Sequence, residues 1–150
     1  MRRLAILTVL VLFVLTGPGA PRTGAYAPDA QTAAAEQVLL DQVNRERAAA
    51  GLAPANGDPV LSDLARAQAQ RMRDASRGFH NDRLHLEIPR PWRAYAENVA
   101  WGSSLVEVER LLAGSSLHRA NILGSYDRVG VGVASGVDMV YVSQVFVRTG

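Results

Sequence analysis

Two runs near the C-terminus restrict the fold more than any other part of the chain. Val129, Val131 and Val133 alternate with glycines, and Met139 to Val147 is dense in Val, Tyr and Phe, with Ser135-Gly136-Val137-Asp138 between them. A period of two and β-branched or aromatic content predict strands. The short polar link predicts that they pair as an antiparallel hairpin. Upstream, helical and loop-like segments dominate and no βαβ alternation is visible. That order predicts an α+β fold in which helices cover a small antiparallel sheet.

The segment from Thr32 to Gly51 is rich in strong helix formers, and Gly51 supplies a stop. Leu39, Leu40 and Val43 mark its buried side. Pro54, Asn56-Gly57, Asp58 and Pro59 predict a loop. Leu61, Leu64, Ala65, Ala69 and Met72 then fall on one helical face, and Gly78 follows as the end of that helix. Residues 83–94 contain Pro89, Pro91 and Trp92 without periodicity and predict an irregular stretch. Residues 96–102 read as a brief strand or extended turn. Ser104 and Glu107 are spaced as a capping box ahead of a helix with Leu105, Val108 and Leu112 on its apolar side and Gly114 at its end. One more helical turn is expected over His118–Leu123, then a bend at Tyr126-Asp127-Arg128.

Met1-Arg2-Arg3 followed by the apolar run Leu4 to Leu15 has the charged start and short hydrophobic centre of a secretory signal peptide. As a helix this run would reach about 18 Å against a bilayer core of about 30 Å, which favours cleavage over an uncleaved anchor. Ala20 and Ala27 are each followed by proline, so the cut is expected after Ala25. This gives a signal at 1–25, a leader at 26–31 and one domain at 32–150, with membrane association only through the signal. Of the 16 basic residues, all arginine, the signal takes Arg2, Arg3 and Arg22 and no acid, leaving 13 against 14 acids and a formal charge of −1. The remaining arginines are spread singly along the sequence, which argues against a nucleic-acid partner. With no cysteine, thiolate catalysis, disulfides and thiolate zinc sites are excluded.

Residues able to carry chemistry concentrate between Tyr95 and Leu123, where Glu97-Asn98 and His118-Arg119 flank one short helix. Glu97 and His118 could therefore face one cleft, and His80, just beyond the second helix, could point into it. Two histidines and a carboxylate form a usual zinc set that leaves a coordination position open. Histidines that hydrogen-bond structural groups are the alternative. Glu97 could equally serve as a general base for a water between His80 and His118, or as a loop cap beside Asn98. Ser115 or Ser116 with His118 and Glu97 could be drawn as a triad, but no Gly-x-Ser-x-Gly elbow surrounds either serine.

Other polar residues read as structural. His85-Leu86-Glu87 reads as an exposed strand-like edge. Asn44-Arg45-Glu46-Arg47 is expected to bond neighbouring groups, and Arg119 and Asn121 to brace the turn at His118. Trp92 and Trp101 are expected in the core. Tyr141 and Phe146 lie on opposite faces of the last strand by parity, one expected in the core and the other lining a groove.

In order, Asn44-Arg45-x-Arg47 with Gly51-Leu52, the helix Leu61–Met72, His80, Glu97-Asn98, His118-Arg119-Ala120-Asn121-Ile122-Leu123, Val129-Gly130-Val131-Gly132 and Tyr141–Phe146 resemble the CAP superfamily. This SCP domain unites cysteine-rich secretory proteins, insect antigen 5 and plant pathogenesis-related proteins, and the chain is most similar to the short, cysteine-free bacterial branch. The resemblance implies an α-β-α sandwich, an extracellular location and a cleft in which His80, Glu97 and His118 take the positions of the family's His, Glu and His. In some members those residues hold zinc or another divalent metal. Ser115 falls near the family's second cavity acid, Ala96 where Gly commonly precedes the Glu-Asn pair, and Leu117 where Gly often precedes the His.

The expected function is a secreted binding module. Its groove, lined by His80, Glu97, Ser115 and His118, would take a small-molecule or peptide-like ligand, with a divalent metal weakly held at His80, His118 and Glu97. Two alternatives are a metal-assisted peptidase or hydrolase with Glu97 as the catalytic base, and a lipid or cell-envelope binding protein.

Overall fold

The computed structural model describes residues 28–150, so the expected signal peptide and the first two leader residues lie outside the described residues. The first helix, α1, spans Ala30–Ala49 and starts inside the expected leader. Asp29 caps it by accepting from the Thr32 amide at 2.7 Å. Gly51 adopts the left-handed conformation after the helix, with φ 73°, which glycine tolerates without strain. The second helix, α2, spans Pro59–Asp74. Proline occupies its first turn, and the Asp58 carboxylate accepts from the amides of Val60 and Leu61.

Between these helices the expected loop contains a two-residue strand, β1, at Asn56–Gly57. A short helix, α3, at Leu84–Glu87 interrupts the stretch expected to be irregular. His85-Leu86-Glu87 are therefore helical rather than strand-like. The segment read as a brief strand is a full one, β2, over Ala94–Gly102. Helices α4, Leu105–Gly114, and α5, Ser116–Ile122, follow, and the hairpin is β3, Arg128–Ser135, with β4, Val140–Arg148. The capping box at α4 is displaced by one residue. Ser104 accepts from the Glu107 amide, but the Glu107 carboxylate reaches back to the amide and hydroxyl of Ser103 at 2.8 and 2.7 Å.

The sheet order is β1-β3-β4-β2, with β4 antiparallel to both long neighbours and β1 parallel to the start of β3. One face packs Val129, Val131, Val133, Val142 and Phe146 against Leu39 and Val43 of α1, Val108 and Leu112 of α4, and Ile122 of α5. The other packs Val145 and Val147 against Leu61 and Ala65 of α2 and Leu84 of α3. Helices on both faces of one sheet make the α-β-α sandwich. Tyr141 and Phe146 do occupy opposite faces, but both are buried, because each face has its own helical layer. Leu40 is only half-buried, at the edge of the α1 stripe.

Two glycines set the distance between α2 and the sheet. A Cβ on Gly130 would lie 2.1 Å from the backbone carbon of Leu61, and one on Gly132 would lie 2.0 Å from the backbone nitrogen of Arg66. The helix backbone rests directly on β3. Beyond Val129, β3 has no strand on its outer side, and side chains take its outward amides. Val131 donates to Ser62 Oγ and Val133 to Glu36 Oε1, each at 3.3 Å.

Arg47, expected to bond its neighbours, is buried and donates to four carbonyls, those of Ala53, Ile122, Gly124 and Tyr126, at 2.8–3.0 Å. Asn44 bonds both backbone groups of Ala55. Together they fasten the loop after α1 to the approach to β3.

Candidate functional site

Glu97 sits on β2 with its side chain on the α2 face, since alternate strand residues point to opposite sides. Its carboxylate collects three donors. The Asn81 amide and His80 Nδ1 both reach Oε2 at 2.9 Å, and the Ser143 hydroxyl reaches Oε1 at 3.2 Å. Because Oε2 already accepts from a backbone amide, the His80 bond runs from Nδ1–H to the carboxylate, leaving Nε2 as the outward nitrogen. The Glu97 side chain is 6% exposed and that of His80 is 60% exposed. A buried acid thus holds a solvent-facing imidazole in one orientation and one tautomer. The end of α2 supplies the loop carrying His80, and Gln68 of that helix donates to the Phe79 carbonyl beside it.

His118 meets β2 through its backbone. It lies on α5, and its carbonyl accepts from Asn98 Nδ2 at 3.2 Å. Asn98, fully buried, also donates to Gln144 Oε1 at 3.1 Å and accepts from Asn121 Nδ2 at 2.8 Å. Asn121 therefore braces this turn, as expected. Arg119 instead reaches Glu46 on α1 at 2.9 Å. Ser115 caps α5, its hydroxyl accepting from the His118 amide at 3.4 Å. The His118 Nδ1 is buried without a protein partner. His85 is exposed on α3, and the Glu87 beside it accepts from Asn81 Nδ2 at 2.8 Å.

Zinc sites take three or four protein ligands. Among the described residues no three His, Asp or Glu side chains are gathered closely enough to hold an ion. Glu97 is also spent on Asn81, His80 and Ser143. Of the three residues expected to hold a metal, Glu97 and His80 are bonded to each other. What the arrangement offers is a preset hydrogen-bonding imidazole.

Sequence reasoning passed over Asn81, Ser143 and Gln144, and named Asn98 only as the neighbour of Glu97. A signal for two of them existed: Ser143-Gln144 is a polar pair inside an otherwise apolar strand, and both are fully buried. Trp101, expected in the core, is 44% exposed, with its ring lodged against Gly78. It sits near the end of an edge strand, where no further layer covers it.

The family described as cysteine-rich secretory proteins, CAP, matches residues 40–147, most of the chain. No match was found among curated proteins. Among solved structures, an outer surface protein of Borrelia burgdorferi superposes with TM-score 0.71 at 16% identity, covering 79% of this chain and 96% of that one. An extracellular SCP-domain protein of Bacillus anthracis gives TM-score 0.71 at 24% identity, covering 89% of this chain and 45% of that one. The chain thus spans less than half of the Bacillus protein. NaASP2, solved with Zn2+, gives TM-score 0.53 at 12% identity over 82% of this chain and 84% of its own. The family match over most of the chain and the shared sandwich agree: this chain belongs to the cysteine-rich secretory protein family, CAP, although it contains no cysteine.

Proposed function

We propose that the protein is an exported binding module in which His80 anchors a small or peptide-like ligand and Glu97 orients His80. The pairing of a nearly buried carboxylate with an exposed imidazole, Nδ1 to Oε2 at 2.9 Å, is the observation that carries this reading. An orientation set before binding lowers the ordering cost a ligand must overcome. Export rests on the charged and apolar N-terminal sequence and on the extracellular character of the Bacillus relative. Among the described residues no helix is long and apolar enough to cross a membrane. Hydrolysis has less support, because Glu97 already receives three donors and Ser115 is occupied as a helix cap.

Two measurements test this. Mass spectrometry of the protein purified from culture medium should recover a small molecule or peptide with the wild type and none with His80→Ala, and equal recovery from both would remove His80 as the anchor. Zinc at about 100 µM should shift the melting temperature by less than about 1 °C, because a ligand below its dissociation constant adds little stability. A shift of several degrees that disappears in His80→Ala/His118→Ala would establish a metal site in its place.

A further inference from the structure

The arginines that look scattered along the sequence are sorted by the fold. Arg45, Arg66, Arg73, Arg119 and Arg128 each pair with a carboxylate. Of the other described arginines, Arg47, Arg71, Arg110 and Arg148 are spread over the rest of the fold, whereas Arg77, Arg83, Arg90 and Arg93, also without a carboxylate partner, are all exposed on the one segment joining α2 to β2. Two acids share that segment: Glu87 is engaged by Asn81, and Asp82 is exposed. The excess of charge on this side is positive.

Two of these arginines are held on aromatic rings. The Arg77 guanidinium lies 4.7 Å from the centre of Phe79, and that of Arg90 lies 4.9 Å from the centre of Trp92. Stacking uses the flat face of a guanidinium and leaves its N–H edge free for an anion. Beside each stack stands a further exposed ring. Trp92 meets Tyr95 edge to face at 5.0 Å, and Trp101 rests on Gly78, where a Cβ would come within 1.9 Å of the indole. The missing Cβ seats the Trp101 ring and still leaves it 44% exposed.

Tyr95, Glu97 and Trp101 share one face of β2 by parity, so the groups fall in a row. Arg90, Trp92 and Tyr95 come first, His80 on Glu97 stands between, and Arg77, Phe79 and Trp101 follow. At about 3.3 Å per residue, Tyr95 and Trp101 are about 20 Å apart. A single small anion needs one arginine, and this row repeats a cation and an aromatic face on both sides of an imidazole.

We propose that this face of β2 binds an acidic glycan, its carboxylates taken by Arg77 and Arg90 and its sugar rings laid on Trp101 and Tyr95. The planar fork of arginine matches a carboxylate in two hydrogen bonds. The apolar faces of sugar rings suit flat aromatic side chains. The rings lie along a strand instead of projecting from a tip, which suits an extended chain better than insertion into a bilayer. The surface is centred on His80, so the proposal rests on the reading above for its middle contact and replaces the small or peptide-like ligand by a sugar chain.

The test is a binding titration of the secreted protein with polygalacturonate, using neutral dextran, a single-stranded oligonucleotide and phosphatidylglycerol vesicles as comparators. Saturable binding to polygalacturonate alone is expected. It should weaken at least about tenfold in Arg77→Ala/Arg90→Ala, with similar loss in Trp101→Ala and no change in Arg110→Ala on α4. Arg77→Lys/Arg90→Lys, which keeps the charge and loses the fork, should recover only part of the affinity. Absence of binding, equal loss in Arg110→Ala, or preference for the oligonucleotide or the vesicles would overturn the proposal. The two readings separate through His80→Ala: binding that survives it and fails in the arginine variant keeps the glycan surface and removes the anchor. Failure of polygalacturonate with every protein, while a small ligand still co-purifies through His80, removes the glycan alone.

Discussion

Arg47→Met should destabilise the protein by about 3 kcal/mol or more, because four carbonyls lose a charged donor and a hydrogen bond to a charged group is worth about 1.5–3 kcal/mol. Methionine keeps most of the length and the apolar stem, so the loss isolates the guanidinium. Arg47 is 4% exposed and donates to carbonyls of Ala53, Ile122, Gly124 and Tyr126, drawn from the loop after α1 and from the chain between α5 and β3. Burial lowers its pKa from the ordinary guanidinium value, yet arginine remains the residue able to serve several carbonyls from one planar group. The loss should fall short of four full desolvation penalties, because a cavity of about 470 Å³ lined by Arg47, Leu52 and Tyr126 gives water access to the freed carbonyls. Arg47→Lys should recover only part of the stability, since three donors on one nitrogen cannot reach all four carbonyls. Chemical denaturation measures both variants. A cost below about 1 kcal/mol for the methionine variant would show that these loops hold together without the guanidinium.

Gly132→Ala should cost about 3 kcal/mol or more, at or above the upper end for overpacking, because the added methyl meets backbone and not a side chain that can turn aside. Its Cβ would fall 2.0 Å from the Arg66 nitrogen and 2.2 Å from the Ala65 carbon. The only relief is to lift α2 from β3, which opens the layer holding Leu61 and Ala65. Gly130→Ala should behave alike, with its contact at 2.1 Å to the Leu61 backbone. Gly114→Ala serves as the control. Nothing lies within 4 Å of its added Cβ, so in the last turn of α4 it should be neutral or stabilising by up to about 1 kcal/mol. A Gly132→Ala melting curve matching that of Gly114→Ala would mean that the helix does not sit on the strand.

Periodicity made α2, α4 and the β3-β4 hairpin legible, because each has one buried face and a matching apolar repeat. It under-read β2, whose Glu97, Asn98 and Trp101 break the alternation. Those residues bond His80, tie β2 to α5 and face solvent, so duties other than core packing disturbed the pattern that marks a strand. Helix α3 was hidden because prolines at 89 and 91 dominate a stretch in which only Leu84 and Ile88 are buried. For the site, residue chemistry pointed to His80 and Glu97, but their other partners depend on pairings remote in sequence. Asn98 meets Gln144 only because β2 and β4 align in that register, and no local pattern encodes it. The glycine row at 130 and 132 was visible as alternation, whereas its role as the seat of α2 needed the helix above it.

The outward side of β3 bears on how the protein behaves among copies of itself. A chain without disulfides relies on its core alone, and a bare sheet margin would let neighbouring molecules stitch onto it backbone to backbone. Ser62 and Glu36 occupy the amides at Val131 and Val133 where such stitching would begin, so two polar side chains act as a hem that keeps crowded copies from fraying into fibres.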